Sequence, residues 1–271
     1  MNGPPAASTA QSRDPADLHA EQLERERRER AHYDQLWGTR EDLQLPAHLP
    51  HDPWTTCRLQ LLRPLAGRHV LDLGCGKGVW SVLLALENAR VAALDISAEG
   101  ARFTSRRAEF YGVGDRVVAT TGSAHALPYP DNAFDLIHGE NILHHLDVDR
   151  AGRELARVLK PGGRAVFLEN SANNKLLMLA RKLCGHFGIH KSSTDDEYPL
   201  RRRQIRVLVR RLGPCRVHYP LFCCFHMLDE KMFPGRRVTA PLDTFVYRWL
   251  PLLRRYSYNQ ILEFRCLKPA P

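Results

Sequence analysis

Three closely spaced glycines follow an acidic residue near the end of an apolar run. The run contains Asp72, and the glycines are Gly74, Gly76 and Gly78. The apolar run predicts a buried strand, and the amphipathic segment 79–86 predicts a helix directly behind the turn. Glycines at such a turn permit left-handed backbone angles and allow a ligand to lie against bare main chain. The stretch therefore predicts a ligand-binding strand–turn–helix unit.

The glycine spacing excludes two common phosphate-binding loops. A dinucleotide fingerprint would need its third glycine at position 79, where Val79 stands, and no Gly-Lys-Ser/Thr ending of a P-loop follows. A second apolar run, 90–96, contains Asp95 about twenty residues beyond the turn, where nucleotide-binding folds place a carboxylate for the ribose hydroxyls. We therefore expect a cofactor that contains a nucleoside but no pyrophosphate.

Five segments between residues 65 and 170 resemble, in order and spacing, the class I S-adenosylmethionine-dependent methyltransferase family, and its small-molecule type 11 branch in particular. They are Leu71–Gly78, Leu94–Ser97, Leu127–Asp135, Ile142–Leu146 and Leu159–Gly163. The resemblance implies an α/β fold with a Rossmann-like seven-stranded sheet and helices on both faces. It also implies S-adenosylmethionine as the cofactor that donates a methyl group.

The resemblance implies roles for residues around this cofactor. Asp72 is expected to orient the methionyl amino group, although a carboxylate there could also cap the turn. Asp95 and Ile96 are expected at the ribose, and Ser123 and Ala124 at the adenine. Many relatives carry an aspartate at the position of Ser123 to hold the adenine amino group, so that contact is expected to be weaker here or made by backbone. The main chain beneath the cofactor is expected to comprise Gly74, Cys75, Gly76 and Gly78, with Cys75 present for its small size.

Candidate residues for the chemical step follow the fourth predicted strand. Gly139 and Glu140 are expected beside the transferable methyl group, and Glu140 has the alternative of bonding only to backbone. His144 and His145 are candidates for the general base, since an imidazole titrates near neutral pH. Paired histidines recur here in relatives with different acceptors, so an architectural role stays open. His138 is expected in the core, and no metal site is expected, because a magnesium site would need carboxylates.

The N-terminal part is expected to precede the methyltransferase domain of residues 67–271. Residues 1–18 are rich in Pro, Ala and Ser, which predicts disorder. Residues 19–66 are predicted to form a helical lid. In relatives a helix here folds over the cofactor, so Tyr33 and Trp37 are candidates for covering the methionine moiety. Ordinary packing against the domain is the alternative.

The C-terminal part carries two predicted insertions, 170–200 and 226–256, which we expect to cap the acceptor pocket. Segments 215–223 and 258–266 are predicted to supply the last two strands of the sheet, at its antiparallel end. The second insertion mixes aromatic residues with arginines, which also fits a surface that lies against membrane headgroups. We favour the cap.

The composition is that of an ordinary globular protein, with 271 residues, 44% hydrophobic residues and a net charge of +9. No apolar run is long enough to span a bilayer, and residues 1–8 lack the apolar core of a secretion signal, so a cytoplasmic location is expected. The seven cysteines have no C-x-x-C spacing and are expected to be reduced. Positive charge permits acidic partners, but no second domain is large enough to bind RNA, so nucleic acid is not favoured.

The leading hypothesis is an enzyme that methylates oxygen, nitrogen or carbon of a small molecule, such as a secondary metabolite. The loop after the fourth strand lacks the Asn/Asp-Pro-Pro-Tyr/Phe sequence used on exocyclic base amines. Two alternatives stay open. One is a methyltransferase for a lipid-linked or macromolecular acceptor at a membrane surface, and the other is a non-catalytic protein that binds S-adenosylmethionine. The sequence leaves the oligomeric state open.

Overall fold

A seven-stranded sheet forms the centre of the computed structural model, which describes residues 15–38, 42–175, 178–179, 198–225 and 238–268. The strands are β1 His69–Leu73, β2 Arg90–Asp95, β3 Val117–Thr121, β4 Phe134–Glu140, β5 Leu159–Asn170, β6 Cys215–His218 and β7 Asn259–Arg265. Their spatial order is β3-β2-β1-β4-β5-β7-β6. The first five are parallel, and β7 runs antiparallel to both β5 and β6. The predicted fold class is confirmed.

Helices cover both faces of this sheet. They are α1 Pro15–Gly38, α2 Pro53–Leu62, α3 Val79–Leu86, α4 Ala98–Phe110, α5 Val148–Val158, α6 Arg202–Leu212 and α7 Ala240–Trp249. Short 3-10 helices lie at Leu49–His51, Gly114–Arg116, Leu143–His145 and Pro251–Tyr256. Apolar residues of α2, α3 and α4 share a buried cluster with Val70 of β1, whereas those of α5 and α6 cluster with Leu71. Neighbouring residues of the strand thus face opposite layers, as the period of two requires.

Three predicted boundaries differ from the structure. Helix α1 begins at Pro15, so the predicted disorder of residues 1–18 does not extend to 15–18; residues 1–14 lie outside the described residues. Proline is tolerated in the first turn of a helix, where its missing N–H has no intrahelical partner. Strand β5 begins at Leu159. The apolar pattern of residues 164–169 predicts instead a strand that begins at Arg164. Strand β6 ends at His218, two residues before Pro220, which has no N–H for a ladder bond.

The strand order creates a crevice between β1 and β4, because the chain adds strands to one side of β1 and then to the other. Leu73 of β1 is paired with Leu94 of β2 and with Gly139 of β4, so the carboxyl ends of the three strands meet at one edge. Helix α1 crosses to α4 at this same edge. The topology thus gathers the predicted site residues beneath the N-terminal helix.

The described residues include only parts of the two predicted insertions. Residues 176–177, 180–197 and 226–237 lie outside them. None of the described residues of either insertion lines the cavity at the crevice. Their predicted role as a pocket cap, and the predicted domain boundaries, stay predictions.

Candidate functional site

A cavity of about 690 Å³ lies at the carboxyl edge of β1, β2 and β4, beneath α1. This is a volume typical of small-molecule sites. Twelve of the residues singled out from the sequence line it, namely Tyr33, Trp37, Asp72, Gly74, Cys75, Gly76, Asp95, Ile96, Ser123, Ala124, Glu140 and His145. Gly78, Gly139 and His144 do not appear in its lining.

The glycine turn is held in place by Asp95. Its Oδ2 accepts a hydrogen bond from the Gly76 N–H at 2.7 Å, and its Oδ1 accepts one from the Ser97 N–H at 2.9 Å. Burial raises the pKa of the Asp95 carboxyl, and these two backbone hydrogen bonds oppose that shift. An ionised carboxylate can accept about four hydrogen bonds, so Asp95 keeps capacity for donors in the cavity.

The two glycines outside the lining are required by packing. Gly78 has a φ of +69°, and a Cβ there would lie 2.7 Å from Thr104 Oγ1 on α4. A Cβ on Gly139 would lie 2.7 Å from the Phe167 ring on β5. Cβ contacts this short do not occur in proteins, so both positions need glycine whether or not a ligand is bound.

Cys75 lines the cavity as a buried thiol, and Thr104 Oγ1 lies 3.5 Å from its Sγ. Burial, aided by the nearby carboxylates of Asp95 and Asp72, raises its pKa well above the ordinary value. The thiol therefore stays protonated at neutral pH, whereas a nucleophilic cysteine needs a thiolate. This supports the interpretation that Cys75 is present for its small size.

Both carboxylate oxygens of Asp72 have protein partners. Its Oδ2 accepts a hydrogen bond from Ser81 Oγ at 2.6 Å, and its Oδ1 lies 2.8 Å from His138 Nδ1. The His138 ring stacks on Trp80 with centroids 4.2 Å apart. His138 lines the cavity, and its buried Nε2 has no partner among the described residues. His138 is fully buried, as the interpretation of it as a core or near-core residue expects, and it also lies at the cavity wall.

His144 holds the loop after β4. The fully buried Glu169 accepts hydrogen bonds from the N–H groups of Ile142 and Leu143 through Oε1, and its Oε2 lies 2.7 Å from His144 Nδ1. This arrangement favours the architectural alternative for His144. Sequence reasoning missed Glu169, which ends an apolar strand and whose partners lie 25 to 27 residues away.

His145 is the histidine of the pair that faces α1. Its Nε2 lies 3.4 Å from the Tyr33 hydroxyl, and its Nδ1 lies 3.4 Å from Glu29 Oε1. Tyr33 stacks on Trp37, and a Cβ built on Gly76 would lie 3.5 Å from the Trp37 indole. The lid helix therefore brings both predicted aromatic residues over the glycine turn.

Helix α1 also supplies carboxylates that sequence reasoning missed. Glu26 Oε1 lies 2.9 Å from Ser123 Oγ and 2.6 Å from His125 Nδ1. Burial is the largest influence on its pKa and raises it, but the hydrogen bonds from His125, Ser123 and Gln22, together with the electrostatic effect of His125, lower the pKa below its ordinary value. Asp34 Oδ1 accepts a hydrogen bond from Ser97 Oγ at 2.6 Å.

A signal for these contacts exists in the sequence. Glu26, Glu29, Tyr33 and Trp37 follow one another at intervals of three and four residues, which places them on one helical face. All four line the cavity. Glu26 and Glu29 were not singled out, because the segment is rich in charged residues and a charge run is usually a solvated helical face.

Arg58 of α2 also lines the cavity. Its buried guanidinium lies 4.1 Å from the Trp80 ring centroid, and Nη1 donates to Glu140 Oε2 at 2.5 Å. Trp54 and Asn259 are further residues of the cavity lining. Nothing in the local sequence of α2 distinguishes Arg58 from a solvated charge, so its role as the partner of Glu140 was not predictable.

Residues 71–167 match a family model described as a methyltransferase domain. A demethylmenaquinone methyltransferase of Lactiplantibacillus plantarum is 36% identical over 132 residues, which are 47% of this chain and 56% of that protein. The 27-O-demethylrifamycin SV methyltransferase of Amycolatopsis mediterranei is 37% identical over 147 residues, 48% of this chain and 51% of that protein. This chain therefore resembles the methyltransferase family over residues 71–167, which are about a third of its length. It spans about half the length of these curated relatives.

The fold of the methyltransferase domain extends beyond the matched segment. The crystal structure of the cyclase SpnF superimposes with a TM-score of 0.56 at 21% identity, covering 85% of each chain. At that identity the likeness concerns the fold alone. Because that protein is described as a cyclase, the reaction of a methyltransferase-like chain has to be argued from its site.

Proposed function

We propose that this protein transfers a methyl group from S-adenosylmethionine to an oxygen, nitrogen or carbon nucleophile of a small-molecule acceptor. The observation that carries the proposal is a single cavity whose lining includes the glycine turn and Asp95 together with Arg58 and Glu140. The curated relatives are named for a demethylmenaquinone and a rifamycin, both small molecules, which supports an acceptor of this class, including a secondary metabolite.

The residues at the donor end suit a nucleoside with an amino acid attached. Asp95 retains acceptor capacity for two ribose hydroxyls, and Gly76 presents bare main chain. Ser123 and Ala124 line the adenine end in this proposal. Because both Asp72 oxygens already have protein partners, the methionyl amino group would share that carboxylate with His138.

When bound, the donor supplies a methyl group activated by a sulfonium. The acceptor's lone pair forms the new bond to the methyl carbon as the carbon–sulfur bond breaks, the sulfur keeps that electron pair, and an acceptor proton passes to a base. His145 and Glu140 line the cavity and are our candidates for that base. Arg58 fixes the Glu140 carboxylate, while α1 excludes water.

Two measurements test the proposal. Titration calorimetry with S-adenosylmethionine and S-adenosylhomocysteine is expected to show binding of both. Incubation with labelled S-adenosylmethionine and fractionated metabolite extracts is expected to yield a labelled small molecule that mass spectrometry identifies. Absence of donor binding would refute the proposal, and binding without any labelled product across extracts would favour the non-catalytic alternative.

A lipid-linked acceptor at a membrane surface is the second candidate, and α7 with the 3-10 helix behind it favours it. Trp249 is 63% exposed and Leu252 is 80% exposed, with Leu242 and Phe245 also exposed nearby. We call these four residues the apolar surface. None of them lines the cavity. A pocket cap would direct such side chains inward, so their exposure supports an external apolar partner.

The charges around the apolar surface suit anionic headgroups. Within described residues 238–256, the exposed charged side chains are Arg248 and Arg255. The Asp243 carboxylate is buried, where it accepts hydrogen bonds from the N–H groups of Cys224 and Phe225. Among the described residues no helix combines the length and apolarity needed to cross a membrane. The contact proposed here is therefore peripheral.

A further inference from the structure

In the donor site proposed above, the part of the loop after β3 that lines the cavity, residues 122–125, has no carboxylate. If Asp95 binds the ribose, the adenine lies farther along the edge in the direction of β3, because β3 is the next strand beyond β2. The loop there, 122–125, contributes Gly122, Ser123, Ala124 and His125 to the cavity lining. The exocyclic amino group of adenine carries two N–H donors, and a site that discriminates in its favour needs a strong acceptor.

Glu26 of the lid helix is the carboxylate at this position. It lines the cavity, and its Oε1 bonds to Ser123 Oγ and His125 Nδ1, with Gln22 Nε2 at 3.4 Å. Among the described residues, all three of these contacts use Oε1, and Oε2 takes part in none of them. One oxygen therefore anchors the side chain and leaves the other for a further donor.

The anchor is itself fixed by a relay of hydrogen bonds. The Asp147 N–H donates to His125 Nε2 at 3.0 Å, which makes Nε2 an acceptor and leaves the proton on Nδ1 to be donated to Glu26. The His125 side chain is buried. A carboxylate oriented by a buried imidazole in a fixed tautomer is preorganised, so it loses little conformational entropy when it binds a ligand.

We infer that Glu26 binds the exocyclic amino group of the donor's adenine, so that the lid helix supplies the acceptor missing from the β3 loop. The inference rests on the proposed function. It has two consequences. A purine with a 6-oxo group would place an acceptor oxygen opposite the carboxylate, which is also an acceptor. Because no hydrogen bond can form between two acceptors, the site would reject that purine. Recognition of the base would also be coupled to the docked position of α1, because the acceptor is part of that helix.

The test compares S-adenosylhomocysteine with S-inosylhomocysteine, which differs by a 6-oxo group in place of the 6-amino group. Titration calorimetry is applied to the wild type, to Glu26→Gln and to Glu24→Gln. Glu24 lies on the same helix and is exposed, so its variant is the matched control. The wild type is expected to favour the adenine ligand by about 10–100-fold, the range of a hydrogen bond to a charged group. Glu26→Gln is expected to lose most of that preference, because its amide can donate to the 6-oxo group, and Glu24→Gln to keep it.

The ratio of the affinities for the two ligands distinguishes recognition of the base by Glu26 from a role of Glu26 in docking the lid helix alone. If Glu26→Gln weakens both ligands by the same factor and leaves the ratio unchanged, Glu26 only anchors the helix and the inference is overturned. If the wild type binds the adenine ligand without preference over the 6-oxo ligand, the inference is also overturned while the proposed function survives. A wild type that binds neither ligand would overturn both.

Discussion

Asp95 joins the turn and the ligand site in a single side chain. Replacing it with alanine removes the acceptor for the Gly76 N–H and the proposed acceptor for the ribose hydroxyls. We expect Asp95→Ala to abolish measurable S-adenosylmethionine binding by calorimetry. Asp115→Ala, at an exposed carboxylate outside the cavity lining, is expected to bind as the wild type does. Equal binding by Asp95→Ala and the wild type would show that the ribose is placed wrongly.

Alanine substitutions of the two adjacent histidines should differ in their effects on the free energy of unfolding. His144→Ala leaves the fully buried Glu169 without its imidazole partner, so we expect a loss of about 1–3 kcal/mol in the free energy of unfolding. Donor binding should change little, because His144 does not line the cavity. His145→Ala loses the contacts to Tyr33 and Glu29, which at 3.4 Å are long for hydrogen bonds, and should unfold within about 1 kcal/mol of the wild type. Urea unfolding measures the stability of each variant, and calorimetry measures its donor binding. If His144→Ala is more stable than His145→Ala, the structural role assigned to His144 is contradicted.

Among the elements, α1 depends on carboxylates that reach three different loops. Glu26 bonds to the loop after β3, Glu29 contacts the loop after β4, and Asp34 bonds to the start of α4 after β2. The helix is therefore attached at the carboxyl ends of the strands that form the site.

The pKa of Glu26 makes this attachment dependent on pH. Folding lowers the pKa of the Glu26 carboxyl, so its contribution to stability is complete above the pKa of the unfolded chain and is lost as pH falls through the lower, folded value. We expect Glu26→Gln to lower the melting temperature at pH 7 by about 2–4 °C, for about 1 kcal/mol, and the difference from wild type to shrink below about pH 4. Thermal melts across pH, with Glu24→Gln as control, measure this. A difference that is the same at all pH values would contradict it.

How far the sequence predicts the elements depends on the range of the contacts involved. Helix α3 at Val79–Leu86 and strand β2 at Arg90–Asp95 match the segments 79–86 and 90–96 closely, because their patterns are local. The Glu26–His125 and Arg58–Glu140 contacts join residues 99 and 82 positions apart. In their own segments, Glu26 and Arg58 each fit a solvated helical charge equally well. The glycine turn and Asp95 were predictable, whereas the carboxylates that complete the site required the fold.

At the scale of the whole molecule, the apolar surface at α7 is the feature that suggests a partner outside the cavity. The chain carries a net charge of +9, and the exposed charges beside this surface are arginines. Electrostatic attraction would bring the protein to an anionic bilayer, and the apolar side chains would then enter the headgroup region. Electrostatics alone would give binding that does not depend on Trp249 or Leu252, so variants at these residues distinguish the two contributions.

Vesicle flotation tests this proposal directly. At low salt we expect the wild type to float with phosphatidylglycerol-containing vesicles and not with phosphatidylcholine vesicles, and to be released at high salt because ions screen the attraction. The double variant Trp249→Ala, Leu252→Ala removes the two most exposed side chains of the apolar surface and should lose most of the floated fraction. Phe110→Ala, at an exposed phenylalanine of α4, is the matched control and should float as the wild type does. No flotation at low salt would remove the membrane-surface candidate and leave the freely diffusing acceptor. Flotation that persists in the double variant would assign binding to the net charge, and α7 would then need another explanation for its exposed side chains.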